Sequence, residues 1–257
     1  MEHTLRQRCY ARRRGAAAGG LSGRTPAVSM QLQSVVPWGR SMAEYFGMFD
    51  LFEVDLESCQ VLSVADGPAS FNADMYGVGR RVVSVDPIYV FSAGQIRARV
   101  ETTHDQLVAA ARAHHDRFIW DLIRTPEEMG QIRLAAMERF LADYDAGRRE
   151  GRYVAASLPE LPFERGKFDL ALCSHLLFLY SEQLSFAFHL AAVEEMARVA
   201  REVRIFPLLM LGAEPSPHLE PVRAELGRRG YETEVRRVPY EFLKGANEMM
   251  VVRRRAS

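Results

Sequence analysis

Residues 61–86, VLSVADGPASFNADMYGVGRRVVSVD, decide how this chain is read. Residues 60–65 are apolar and β-branched, the composition of a buried strand. Gly67 interrupts them. Residues 69–76 then follow with helical spacing, closed by Gly77 and Gly79. Residues 81–85 read as a second buried strand, stopped at Asp86 and Pro87. Strand, turn, helix and strand predict a parallel βαβ unit, whose ligand site lies outside the carboxyl ends of its strands. Gly67 lets the backbone come close to a ligand, and the helix start behind it offers free N–H donors. Asp86 ends the neighbouring strand, where a carboxylate can accept two hydrogen bonds from a ribose diol.

Working outward, residues 42–51 predict a short amphipathic helix with Ser41 as its N-cap. Residues 92–149 form a long helical region with two helices, 93–114 and 126–148. The second is marked by Thr125 as cap and Pro126 at its first position. Further strands are expected at 153–157, 168–174 and 203–209, and helices at 183–200 and 219–229. Two last strands, 231–238 and 249–253, are joined by PYEFLKGANE. The alternation implies an α/β fold, a parallel sheet with helices on both faces. The last two strands have no helix between them and should pair as an antiparallel hairpin. There is no internal repeat.

At 257 residues the chain is long enough for one domain with a sizeable core. Lys plus Arg and Asp plus Glu are both 33, so no global charge points to nucleic acid or an acidic membrane. No apolar run approaches the roughly 20 residues that span a bilayer; the longest, 168–180, is broken by Ser174 and His175. Cys9, Cys59 and Cys173 fit neither a metal spacing nor a disulfide framework, which makes the cytoplasm the expected setting. Residues 1–29 hold Arg6, Arg8, Arg12, Arg13, Arg14 and Arg24 against Glu2 alone, with no apolar centre of a secretory signal. They predict a disordered basic tail before a domain at 30–257, with a basic arm touching nucleic acid as the alternative.

With these parts in order, the chain from Trp38 to Val252 resembles the class I S-adenosylmethionine-dependent methyltransferases. It is most similar to small bacterial methyltransferase-like proteins. The resemblance rests on WGRSMAEY at 38–45, the glycine turn and Asp86. It continues through LPF at 161–163, FDL at 168–170, CSHLLFLYS at 173–181, EEMARV at 194–199 and the terminal hairpin. It implies a Rossmann-like, mostly parallel sheet with a C-terminal antiparallel hairpin and a helical insertion at about 92–149. S-adenosylmethionine (SAM) would be the methyl donor and a small molecule the acceptor. Carried over by position, it places Ala65, Asp66 and Gly67 in the cofactor turn and Asp86 with Pro87 at the ribose. Ser157 and Leu158 would flank the adenine, and Cys173, Ser174 and His175 would lie beneath the methionine part and the substrate.

The chain departs from the family pattern where Ser63 replaces an acid, Ala65 and Ala69 replace glycines, and Ser157 replaces an acid. An alanine suits the turn where its dihedrals are ordinary. Asp66 is positioned to substitute for the missing acid. The departures leave open a catalytically inactive cofactor-binding or regulatory protein, and an RNA or protein methyltransferase anchored by its basic tail. NAD fits poorly, because a pyrophosphate needs further glycines and Asp66 would repel it.

Methyl transfer from a sulfonium is an in-line displacement that needs a base only where the acceptor must lose a proton. His175 is the candidate base, against a packed histidine at a strand end. Tyr180 and His189 are candidates for the acceptor pocket or for the core. His114 and His115 diverge by about 100° on a helix, so no metal site is expected. The insertion would either cap the pocket or pack on the sheet or at a dimer contact. By analogy with the family, Trp38, Arg40 and Tyr45 would close the pocket from the other side.

Overall fold

The computed structural model describes residues 38–53 and 56–255; the predicted basic tail lies outside the described residues. The deciding stretch folds as β1 (Val61–Val64), α2 (Phe71–Gly77) and β2 (Val82–Val85). It is preceded by α1 (Met42–Phe49), where Ser41 and Glu44 form a reciprocal capping box. Then come α3 (Ala93–Ala113), α4 (Pro126–Arg149), β3 (Tyr153–Val154), β4 (Phe168–Ser174), α5 (Phe186–Val199) and β5 (Ala200–Phe206). The chain closes with α6 (Leu219–Arg228), β6 (Tyr231–Arg237) and β7 (Glu248–Arg254).

The seven strands of the described residues form one sheet in the order β3-β2-β1-β4-β5-β7-β6. The first five run parallel, and β7 is antiparallel to both β5 and β6. This is the Rossmann-like sheet of class I methyltransferases, with its C-terminal antiparallel hairpin. Side chains alternate across it. Leu62, Ala171, Cys173, Met250 and Val252 pack under α5 and α6. Val61, Leu170, Leu172, Met249 and Val251 pack under α1 and α2. Such two-sided burial is what near-continuous apolar strands require.

Several boundaries differ from the sequence expectation, among them β5, which runs Ala200–Phe206 rather than 203–209; three have a clear local reason. β3 ends at Val154 rather than at residue 157. It is an outer strand whose only partner, β2, ends at Val85 opposite Val154. Ser157 therefore lies in a turn that bridges to Glu160. α5 starts at Phe186 because Ser185 caps it, accepting a hydrogen bond from the Phe188 N–H. Ala200 is already extended, so helix passes into β5 with no intervening loop.

The insertion does both things expected of it as alternatives. The C-terminal half of α4 packs Met137, Phe140, Leu141 and Tyr144 against Tyr89 and Tyr153 beside the sheet. Its N-terminal half turns Met129 and Arg133 toward a cavity, which Leu107, Ala110 and Ala111 of α3 also line. Among the described residues no helix is long and apolar enough to cross a membrane.

Candidate functional site

A cavity of about 420 Å³ lies at the carboxyl ends of the parallel strands. Ala65, Asp66 and Gly67 follow β1, Asp86 and Pro87 follow β2, Ser157 and Leu158 come after β3, and Ser174 with His175 ends β4. The structure thus brings together at one cavity nine of the ten residues singled out from the sequence. Cys173 is the exception. It is fully buried in the core under α5 and α6, because strand alternation turns it away from the rim. Burial pushes its thiol up to about 12, so it is an inert core residue, not a cofactor contact.

Gly67 and Asp86 are in direct contact, the Gly67 N–H donating to Asp86 Oδ2 at 2.9 Å. The other oxygen, Oδ1, accepts from the Ile88 N–H at 2.9 Å, so Asp86 caps the 3-10 turn Pro87–Val90. Each carboxylate oxygen keeps a second lone pair for a ligand hydroxyl. Burial pushes Asp86 up to about 6, against the pull of the two N–H groups. The Tyr89 hydroxyl donates to the Gly67 carbonyl at 2.7 Å and fixes the turn from the other side. Gly67 has φ +54, and the only atom near the place of an added Cβ is Asp86 Oδ2 at 4.0 Å. That space is a cradle that a side chain would fill, and the carboxylate at its edge can accept hydrogen bonds from an adenosyl diol.

Ala65 does not have ordinary dihedrals: its φ is +55, in the left-handed region. The backbone keeps the glycine-like turn although a Cβ is present, at a cost of about 1 to 2 kcal/mol. His175, just past the end of the neighbouring strand β4, also has φ +55. Strain of this kind concentrates at functional sites.

Asp66 does not point at a ligand. Its Oδ1 accepts from the Tyr45 and Ser63 hydroxyls, and its Oδ2 accepts from Ser84 Oγ at 2.5 Å. Burial raises its carboxyl above the ordinary range, while the three hydroxyls counteract this. Ser63 and Asp66 form a knot that ties β1 to β2 and to α1. Position in sequence beside Gly67 did not reveal this direction.

His175 lies 2.7 Å through Nδ1 from Ser174 Oγ. Burial first, then the charges of Arg40 and Arg133, hold its imidazole well below the usual range, so it is neutral at pH 7. Tyr180 lines the cavity. His189 is a core residue: its Nε2 accepts from the Phe178 N–H at 3.1 Å and its Nδ1 lies 2.8 Å from the Ser185 carbonyl. His115 stacks on Trp120. Among the described residues no group of three His, Cys, Asp or Glu side chains is placed to hold a metal.

Much of the remaining wall is built from residues that sequence reading left unassigned, Arg133, Tyr240, Phe242 and Leu243 among them. Arg133 is 1% exposed and ion-paired with Glu44, whose other oxygen accepts from the Tyr240 hydroxyl at 2.9 Å. The signal for Arg133 was present: it stands between Met129 and Met137 on the apolar stripe of α4, where a charge needs a reason. Trp38, Arg40 and Tyr45 do line the cavity, as the family analogy implied, and Phe242 and Leu243 from the β6–β7 connection join them.

No protein-family model matches the chain. It is similar to the solved structure of magnesium protoporphyrin IX methyltransferase from Synechocystis PCC 6803 with bound SAM. That match has 13% identity and a TM-score of 0.41, and covers 78% of this chain and 72% of that one. A TehB-like SAM-dependent methyltransferase from Corynebacterium glutamicum is similar at 15% identity and a TM-score of 0.44, covering 81% and 88%. These likenesses are distant, and the fold rests on the strand order above. Among curated proteins, the uncharacterized protein MJ0045 of Methanocaldococcus jannaschii is 32% identical over 226 residues, which cover 88% of this chain and 99% of that protein. The chain belongs to the family of uncharacterized protein MJ0045.

Proposed function

We propose that the protein is a SAM-dependent methyltransferase acting on a small-molecule acceptor. The observation that carries this reading is the contact between the Gly67 N–H and the Asp86 carboxylate at the rim of the sheet. It sets a carboxylate with free lone pairs beside a turn that opens on a cavity of about 420 Å³. SAM, when bound, supplies an activated methyl group whose departure leaves a neutral thioether. Asp86 would accept the ribose hydroxyls, and the Ser157 hydroxyl would meet the adenine edge. Leu158 and Phe188 provide apolar cover. Aromatic walls exclude water and hold the acceptor in line, which supplies most of the rate in such a displacement. The imidazole of His175, beside Ser174, would be the base for an acceptor that must lose a proton, a weak one because burial and the charges of Arg40 and Arg133 disfavour the imidazolium. A cavity walled by the insertion, residues 38–40 and the β6–β7 connection suits a small acceptor better than a polymer.

One observation favours the reading without turnover: Asp66 is engaged by three hydroxyls, so it does not anchor a cofactor ammonium. Incubation of the full chain with methyl-labelled SAM and a fractionated metabolite extract separates the two. Label in a low-mass product supports the enzyme. Cofactor binding with no labelled product supports the regulatory alternative, and no binding of SAM or S-adenosylhomocysteine contradicts both.

A further inference from the structure

We propose that the arm of the cavity between Arg40 and α4 receives an acidic group on the acceptor, so that the substrate is a small apolar carboxylic acid. The inference rests on the methyl-transfer reading only for the word acceptor; the anion site stands on the side chains themselves.

Two guanidinium groups, Arg40 and Arg133, and one carboxylate, Glu44, line or adjoin this arm. Glu44 is engaged by other partners. Its Oε2 accepts from Arg133 and from the Ser41 N–H and hydroxyl, and its Oε1 accepts from the Tyr240 hydroxyl. No hydrogen bond joins it to Arg40. The Arg40 side chain donates one weak hydrogen bond, Nη1 to the Trp38 carbonyl at 3.3 Å. Its Nε has no partner, and neither does Nε of the almost wholly buried Arg133. Two guanidinium groups against one carboxylate leave one positive charge unmatched at the partly buried Arg40, whose Nε is itself buried without a partner, an arrangement that a counter-ion would stabilise. A single carboxylate closes the balance, and a guanidinium presents its N–H groups in the matching planar fork.

The surroundings specify the rest of the ligand. Trp38, Phe118, Tyr240, Phe242, Leu211 and Leu243 form an apolar, largely aromatic wall. Arg40 packs on the glycine turn, its carbonyl accepting from the Ser70 N–H at 3.0 Å, so the anion site adjoins the cofactor end of the cavity. The competing occupant is the cofactor's own carboxylate, and the test distinguishes the two.

Calorimetry on the full chain, saturated with S-adenosylhomocysteine, would compare benzoate, cinnamate and 1-naphthoate with their primary amides. At least one acid should bind about tenfold or more tighter than its amide, the range of a charge-assisted hydrogen bond. Arg40→Met should abolish that preference, and Arg40→Lys should keep part of it. Affinity for S-adenosylhomocysteine should stay unchanged in both variants, with thermal melting verifying that each is folded. No preference for any acid over its amide would overturn the proposal. So would an Arg40→Met variant that loses affinity for S-adenosylhomocysteine but not for methylthioadenosine, which lacks the carboxylate. If the wild type binds no S-adenosylhomocysteine, the methyl-transfer reading fails by itself. The acid and amide comparison, repeated on the free protein, then still decides the anion site.

Discussion

Position 65 asks an alanine to hold a φ of +55 where glycine would do so without strain. Ala65→Gly should therefore stabilise the ligand-free protein by about 1 kcal/mol, the left-handed penalty partly offset by the greater freedom of glycine when unfolded. Urea denaturation measures this; a loss of stability would mean that the Cβ packs usefully. Asp86 carries the clearest pH signature. Its folded-state value is raised to about 6, so its contribution to stability is present below its unfolded value and is lost as the pH rises through 6. Cofactor binding reverses the sense, because the ionised form accepts both diol hydroxyls. Affinity for S-adenosylhomocysteine should fall as the pH drops from 7 to 5, and Asp86→Ala should remove that dependence. The glycine and the acid were legible in the sequence because spacing alone brings them to neighbouring strand ends. The direction of Asp66 was not, since the hydroxyls that claim it come from residues 45, 63 and 84.

Among the elements, β4 spans residues 168–174 as its apolar run predicts, since it lies between two strands and is buried on both faces. β3 was misjudged because an edge strand is limited by its neighbour rather than by its own composition. Asp66 fastens α1 to β1 and β2, so Tyr45→Phe should cost about 1.5 to 3 kcal/mol, a hydrogen bond lost from a buried carboxylate. Denaturant melts read this directly, and a change under 0.5 kcal/mol would show the knot to be dispensable. The Glu44–Arg133 pair joins α1 to α4. Burial alone would raise the Glu44 carboxyl, but the Arg133 charge holds it down to about 2. Its stabilisation is present above its unfolded value near 4.5 and is lost as the pH falls toward 2. Replacing both partners, Glu44→Gln with Arg133→Met, should flatten the stability curve in that acid window. An unchanged slope would mean that the pair does not govern acid sensitivity.

At the scale of the whole molecule, chain order was enough to imply the sheet, because alternating strands and helices leave few arrangements. The position of β7 between β5 and β6 was beyond it, since a hairpin pattern does not say which strand faces the sheet. The double role of the insertion was equally hidden: one helix, α4, carries an apolar stripe that changes neighbour halfway along its length. The arm of the cavity beside Arg40 was unreadable for a related reason, as its wall is drawn from residues 38–40, α4 and the β6–β7 connection. These segments meet at the carboxyl edge of the sheet, and that edge is where the central claim is tested.

Calorimetric titration of S-adenosylhomocysteine into the full chain at pH 7.5, with wild type and Asp86→Ala side by side, tests it most directly. The arrangement of Gly67 and Asp86 predicts one site per chain in the wild type and about tenfold or greater weakening in the variant. Absence of binding in the wild type, or equal affinity in the two proteins, would contradict the account.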